Sequence, residues 1–121
     1  MTNWYAVTLG FVVMTVVGVV GLAIPGLGQL TAGLVGGFVA GYVAAGGPRR
    51  GGWHGLLAGS LGGIFVALIF SVAVSVLGAV GLGPFGPLLG GGVFLVGVVI
   101  ALLMGLESAL AGAVGGWVAE E

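Results

Sequence analysis

The side chains that could carry chemistry in this chain are few: Arg49 and Arg50, Glu107, Glu120 and Glu121, and a single histidine, His54. Glu107 is the one ionisable group inside a long apolar run. A charged carboxylate at the centre of a membrane helix costs about 2.5 kcal/mol or more, so such a group must face protein or water, or be protonated. Glu107 is therefore either a site for a proton or an ion, or a neutral carboxylic acid hydrogen-bonded across a helix interface, with Ser71, Ser75 and Thr15 as the partners on offer. His54 follows the arginines and could sense pH; the plainer reading is an interfacial, water-exposed histidine beside Trp53. One histidine without Cys, His or carboxylate neighbours makes no metal site. Gln29 and Thr31 either cap or hydrogen-bond locally, or face an outer vestibule.

Most enzymatic chemistries find no footing in these residues. The chain has no cysteine, which removes disulfides, thiolate metal sites and cysteine nucleophiles. Serine has no histidine and aspartate to form a triad with, and no two carboxylates pair within an apolar run. Gly-Leu-Gly occurs at 26–28 and 81–83, but neither copy leads into the Lys-Ser/Thr of a phosphate loop. Two arginines make no basic patch for nucleic acid. The expectation is a protein without enzymatic activity, cofactor, metal or nucleic-acid partner.

The elements that must position Glu107 and His54 follow from composition. Hydrophobic residues make up 60% of the chain and charged residues 4%, where a soluble domain carries roughly a quarter charged. Lipid must be the solvent for most of the surface. Open strands would leave backbone groups unsatisfied there, so even the valine-rich first run reads as helix. About 20 apolar residues cross a hydrocarbon core, and the sequence divides into four such runs, at about 4–24, 27–45, 53–78 and 88–118. The first has no basic residue before it and reads as a retained span rather than a signal peptide. The fourth is long for one span, with a possible break at Gly90-Gly91-Gly92. The fold class is all-α, a single membrane domain of four transmembrane helices over residues 1–121.

Gly46 to Gly52 reads as a turn and holds Arg49 and Arg50, so it is expected on the cytoplasmic side, with both termini. Trp4, Trp53 and Trp117 then fall at that same interface. Glycine recurs every fourth residue, at Gly33, Gly37 and Gly41 in the second helix and at Gly55, Gly59 and Gly63 in the third. A further small-residue row holds Gly112 and Gly116 in the fourth. Residues four apart share a helix face, so each row is a groove into which another backbone can press. The second helix, with two adjoining small-residue rows, is expected to be central. Both halves of the chain read helix, Pro/Gly break, helix, as a two-span unit used twice would.

The run Ile24-Pro25-Gly26-Leu27-Gly28, followed by Ala40-Gly41-Tyr42-Val43-Ala44 and by His54-Gly55-Leu56-Leu57-Ala58-Gly59, resembles a family of small, four-span, glycine-rich archaeal membrane proteins of unknown function. The resemblance implies the four-helix membrane fold and an archaeal origin, and it supplies no activity. More ladders are present than one helical hairpin requires. The sequence therefore points to a homo-oligomer in the lipid bilayer, with a structural role or one accessory to another membrane protein; the alternative is an oligomeric ion or proton channel or transporter that uses Glu107.

Overall fold

The computed structural model describes residues 1–121, and the protein is all-α with no strand. Its helices are α1 (Trp4–Gly21), α2 (Leu27–Ala44), α3 (Gly47–Leu82) and α4 (Phe85–Val118). All four are long and apolar enough to cross a membrane, as a multi-pass membrane protein requires. The helix is the form in which such runs satisfy their own backbone groups away from water. Asn3 starts α1 by accepting the Ala6 N–H on its side-chain oxygen at 3.3 Å, which supplies one of the partners that a helix start lacks.

Several boundaries differ from those read in the sequence. α1 stops at Gly21, three residues early, and α2 stops at Ala44. α3 is far longer than 53–78: it begins at Gly47, so the stretch from Gly47 to Gly52 is helix and not turn. Pro48 fits because a proline in the first turn has no N–H that the helix needs. The reversal of the chain is confined to Ala45 and Gly46, where φ is +51° and +90° and Gly47 follows at +91°. Glycine adopts that region freely. Gly51 and Gly52 have another purpose, since both face α4, Gly51 against the Gly112 carbonyl and Gly52 against Ala109 and Ala113. α4 begins at Phe85 and runs unbroken through Gly90-Gly91-Gly92. The Ser71 hydroxyl of α3 donates to the Gly90 carbonyl at 2.7 Å and ties this stretch to the neighbouring helix.

The helices form two antiparallel hairpins of unequal size. In the α1–α2 hairpin, Gly10 meets Gly36 and Ala40, and Gly21 meets Gly28. In the α3–α4 hairpin the register runs from Gly51 opposite Gly112 and Gly116, through Gly63 opposite Ala101, to Gly78 opposite Gly86. α2 touches all three other helices, and so does α3; α1 and α4 do not touch. α1 and α2 have 18 residues each, against 36 and 34 for α3 and α4. The halves of the chain are therefore not equal copies of one unit.

The core is made of small residues. Ala40, Ala58 and Ala101 are buried with the ladder glycines other than Gly63, Val7 is the largest buried apolar side chain, and His54 and Ser108 are the buried polar ones. The bulk faces outward, with Phe70, Leu77, Leu88 and Leu95 exposed. This inverts the pattern of a soluble protein. Lipid tails are as apolar as leucine, so close approach of backbones, and not removal of leucine from water, holds such helices together.

Candidate functional site

Glu107 lies half-buried on the α4 face turned to α2. Its Oε1 is buried with no hydrogen-bond partner, and it rests over the bare backbone of Gly33, where a Cβ would stand 2.9 Å away. The three hydroxyls considered as partners are elsewhere. Ser71 donates to Gly90, and Ser75 also lies against Gly90, some seventeen residues or roughly 25 Å along α4 from Glu107. Thr15 donates to the Phe11 carbonyl in its own helix at 2.8 Å. The antiparallel register of α3 on α4 fixes this outcome, and it could not be read from one helix at a time.

Ser108, one residue on, is fully buried, and its hydroxyl also lacks a partner. It marks the crossing of three helices: Gly37 of α2 and Gly55 and Gly59 of α3 all press on it. Gly112, one turn later, is enclosed by Gly37, Gly51 and Gly55, and Gly41 faces it from α2. Gly116 packs on Gly47 and Gly51, and Gly63 packs on Ala101. Gly33, by contrast, meets the Glu107 carboxyl and nothing else within 4 Å. The rows in α2, α3 and α4 thus converge on one seam inside the chain. Ser108 stands one turn before Gly112 in the fourth-helix row, and a hydroxyl among glycines is the signal in the sequence that something polar occupies the crossing.

His54 is not water-exposed: its exposure is 0%. Its Nε2 accepts the Asn3 N–H at 2.7 Å, and its Nδ1 lies 2.7 Å from the Arg50 carbonyl one turn earlier in α3. Beside it the Trp53 indole N–H donates to the Thr2 hydroxyl at 3.1 Å. Burial follows from the extra turns at the start of α3, which set His54 beneath the segment leading into α1. Asn3 was not singled out in the sequence, though an Asn just before an apolar helix is a capping signal. Arg49 and Arg50 sit exposed in the first turn of α3. Gln29 of α2 reaches the Gly18 carbonyl of α1 at 3.4 Å, and Thr31 donates to Leu27 in its own helix at 2.8 Å.

No three His, Asp or Glu residues come together as metal ligands. Two surface grooves are apolar: one of about 770 Å³ at the tip of the α3–α4 hairpin, lined by Leu82, Phe85, Leu88, Leu89, Gly92, Val93 and Val96, and one of about 390 Å³ between α1 and α3, near Phe11 and Phe65.

The model of a family described as a family of unknown function, DUF5518, matches residues 4–118. The chain belongs to the DUF5518 family. The match takes in all four helices, so the two hairpins and the seam between them lie within one DUF5518 unit. No curated protein and no solved structure matches the chain.

Proposed function

We propose that this DUF5518 chain is a self-associating component of the cell membrane, structural or accessory to another membrane protein, and not an enzyme. The observation that carries the reading is the distal part of the α3–α4 hairpin. α1 runs beside α3 from the Asn3–His54 contact through the Phe11–Phe65 ring pair, whose centroids are 5.8 Å apart. α1 then ends at Gly21, leaving about ten residues of α3, on the order of 15 Å, with no neighbour but α4. Gly81 here, and Gly91 and Gly92 on the facing stretch of α4, are helical glycines with no atom within 4 Å of a Cβ placed on them. A glycine inside a helix costs about 1 kcal/mol relative to alanine. At Gly51, Gly55 and Gly112 that cost is offset by a backbone pressed against the glycine, and here the partner helix is supplied by another copy. The arginines, both termini and all three tryptophans lie at the opposite end of the bundle, which supports a cytoplasmic location for that end.

The test is the mass of the intact assembly, by native mass spectrometry from lipid nanodiscs over a wide range of protein-to-lipid ratios. A fixed assembly of several copies that Gly92→Leu disperses is the expected result. A monomer at every ratio refutes self-association.

The buried, unpartnered Glu107 Oε1 favours a second reading, in which assembled copies conduct a proton or an ion past Glu107. Proton flux into liposomes that Glu107→Gln abolishes is its expected result. Flux unchanged by that substitution removes Glu107 from any such path.

A further inference from the structure

Both ring nitrogens of His54 are committed to main-chain groups, and the commitments fix its chemical form. The Asn3 N–H can only donate, so Nε2 must be the lone-pair nitrogen. The Arg50 carbonyl can only accept, so Nδ1 carries the hydrogen. The ring is thus neutral, in a single tautomer, and fully buried. It is also the only side chain that bonds the start of α1 to α3 through the main chain. The second tie at this end is the Trp53–Thr2 bond next to it.

We propose that His54 is an acid-sensitive latch that holds the start of α1 on α3 and releases it when the ring gains a proton. A proton on Nε2 turns the acceptor into a donor that faces the Asn3 N–H across 2.7 Å. The ring cannot turn to another partner without leaving the Arg50 carbonyl, and burial denies it water. Asn3 is the group that gives way. Its side-chain oxygen caps Ala6 and its carbonyl accepts the Val7 N–H at 3.2 Å, so displacement of Asn3 loosens the first turn of α1. Helix α1 has no contact with α4 to hold it in place.

The surroundings offer the imidazolium no counter-charge. From α4 the residues facing this part of α3 are Ser108, Ala109, Gly112, Ala113 and Gly116, all uncharged, while the Glu107 carboxyl lies against Gly33 of α2. Glu120 lies against Gly47, seven residues or roughly 10 Å along α3 from the ring, and Glu121 follows it. From α2 the titratable group at this end is Tyr42, which stacks on Phe38. On the α1 side they are the Met1 amine and Tyr5, and on α3 itself the Arg49 and Arg50 side chains. None of these makes a hydrogen bond to the ring.

His54 is the sole histidine, so histidine labelled with nitrogen-15 reports its protonation state without assignment. In nanodiscs, the ring nitrogen shifts are followed together with hydrogen-exchange protection of the Asn3 and Ala6 amides as the pH is lowered from about 8 to about 5. The expected result is that imidazolium forms and the protection factors fall with it by about tenfold, the worth of one hydrogen bond. In His54→Gln, whose side-chain amide can accept from Asn3 and donate to Arg50 at any pH, protection stays constant. Imidazolium formed with protection unchanged overturns the latch, as does a ring that stays neutral to the acid limit. The wild-type titration decides the matter even if His54→Gln fails to fold.

Discussion

Replacing Gly112 and Gly92 by alanine in separate variants should move stability in opposite directions, although both sit in the same helix. Alanine is favoured over glycine in a helix interior by about 1 kcal/mol. At Gly92 no atom of the same chain lies within 4 Å of the new methyl, so that gain is realised in the dissociated chain. At Gly112 the methyl would stand 2.9 Å from the Gly55 Cα and 3.1 Å from the Gly37 carbonyl oxygen, and would run into the Gly51 carbonyl. Carbon atoms rest at about 3.5–4.0 Å, so α3 must retreat by roughly 1 Å, and a gap of that size forfeits a quarter to a half of the dispersion energy of every contact along the seam. Overpacking of this kind costs about 1–3 kcal/mol. Since three backbones are involved, the upper part of that range applies, and the net loss after the propensity gain is about 1–2 kcal/mol. The absence of natural cysteine allows two introduced cysteines, one on α2 and one on α4, to carry a fluorescent donor and acceptor. Reversible unfolding in mixed micelles then reads each variant. Equal stability of Gly112→Ala and the parent, or a shift of both variants in the same direction, would refute backbone contact as the reason for glycine at the seam.

Ala45 is the one non-glycine residue at positive φ, with φ 51° and ψ 176°, a region that costs a side-chain-bearing residue on the order of 1–3 kcal/mol. Ala45→Gly relieves this while adding freedom to the unfolded chain, so a net gain of about 1 kcal/mol is expected in the same unfolding assay. Ser108→Ala removes a buried hydroxyl without a partner and should stabilise by about 1 kcal/mol or more, whereas Ser108→Val should destabilise because Gly37 and Gly59 leave no room for a second methyl. Association measured in nanodiscs of short-chain lipid should be stronger than in long-chain lipid, with equal association in both as the result against it.

The helical, membrane-type character of the chain was legible because lipid leaves few options: an uncharged run such as Trp4 to Gly21 is a helix whatever its valine content. Four-residue spacing is a local property, and Gly37 of α2, Gly55 and Gly59 of α3 and Gly112 of α4 lie at the seam. What could not be read was which glycine serves which purpose. Gly51 and Gly52 look like turn residues beside Pro48 and the arginines, yet they lie in α3 against α4. Gly90 looks like a break and is instead a close contact with Ser75, while Gly91 and Gly92 beside it are bare. A helix seam and a turn draw on the same property of glycine, the absence of a side chain, and only the partner helix distinguishes them. The partners of His54 and Glu107 were hidden for a related reason. His54 bonds to a residue 51 positions away, and the register of one helix on another decides whether Glu107 meets a hydroxyl or a glycine.

The unequal hairpins impose a conflict that bears on any role in the membrane. At 1.5 Å per residue, α1 and α2 are about 27 Å long, close to a hydrocarbon core of roughly 30 Å, whereas α3 and α4 exceed 50 Å. The excess is not polar. From Trp53 onward α3 has no charged residue, and α4 has none before Glu107. Tilting by about 40°, near the upper end of what membrane helices adopt, would bring the part of α3 beyond Trp53 to roughly 35 Å. The same tilt would leave α1 and α2, packed against it, spanning about 20 Å and too short to reach the far interface. One orientation cannot suit both hairpins. Beside the tip of the short hairpin there is therefore a step, bounded by the apolar flank of α3 and α4 where Val80 is 88% exposed. The bilayer must thin and bend to fill it, or a helix must occupy it. Mismatch costs fractions of a kcal/mol per ångström and drives some helices together, and bare glycines on that flank let a second backbone approach closely. The two effects act on the same segment and in the same direction, and for that reason the distal hairpin, and not the glycine seam already filled within the chain, is where association is to be sought.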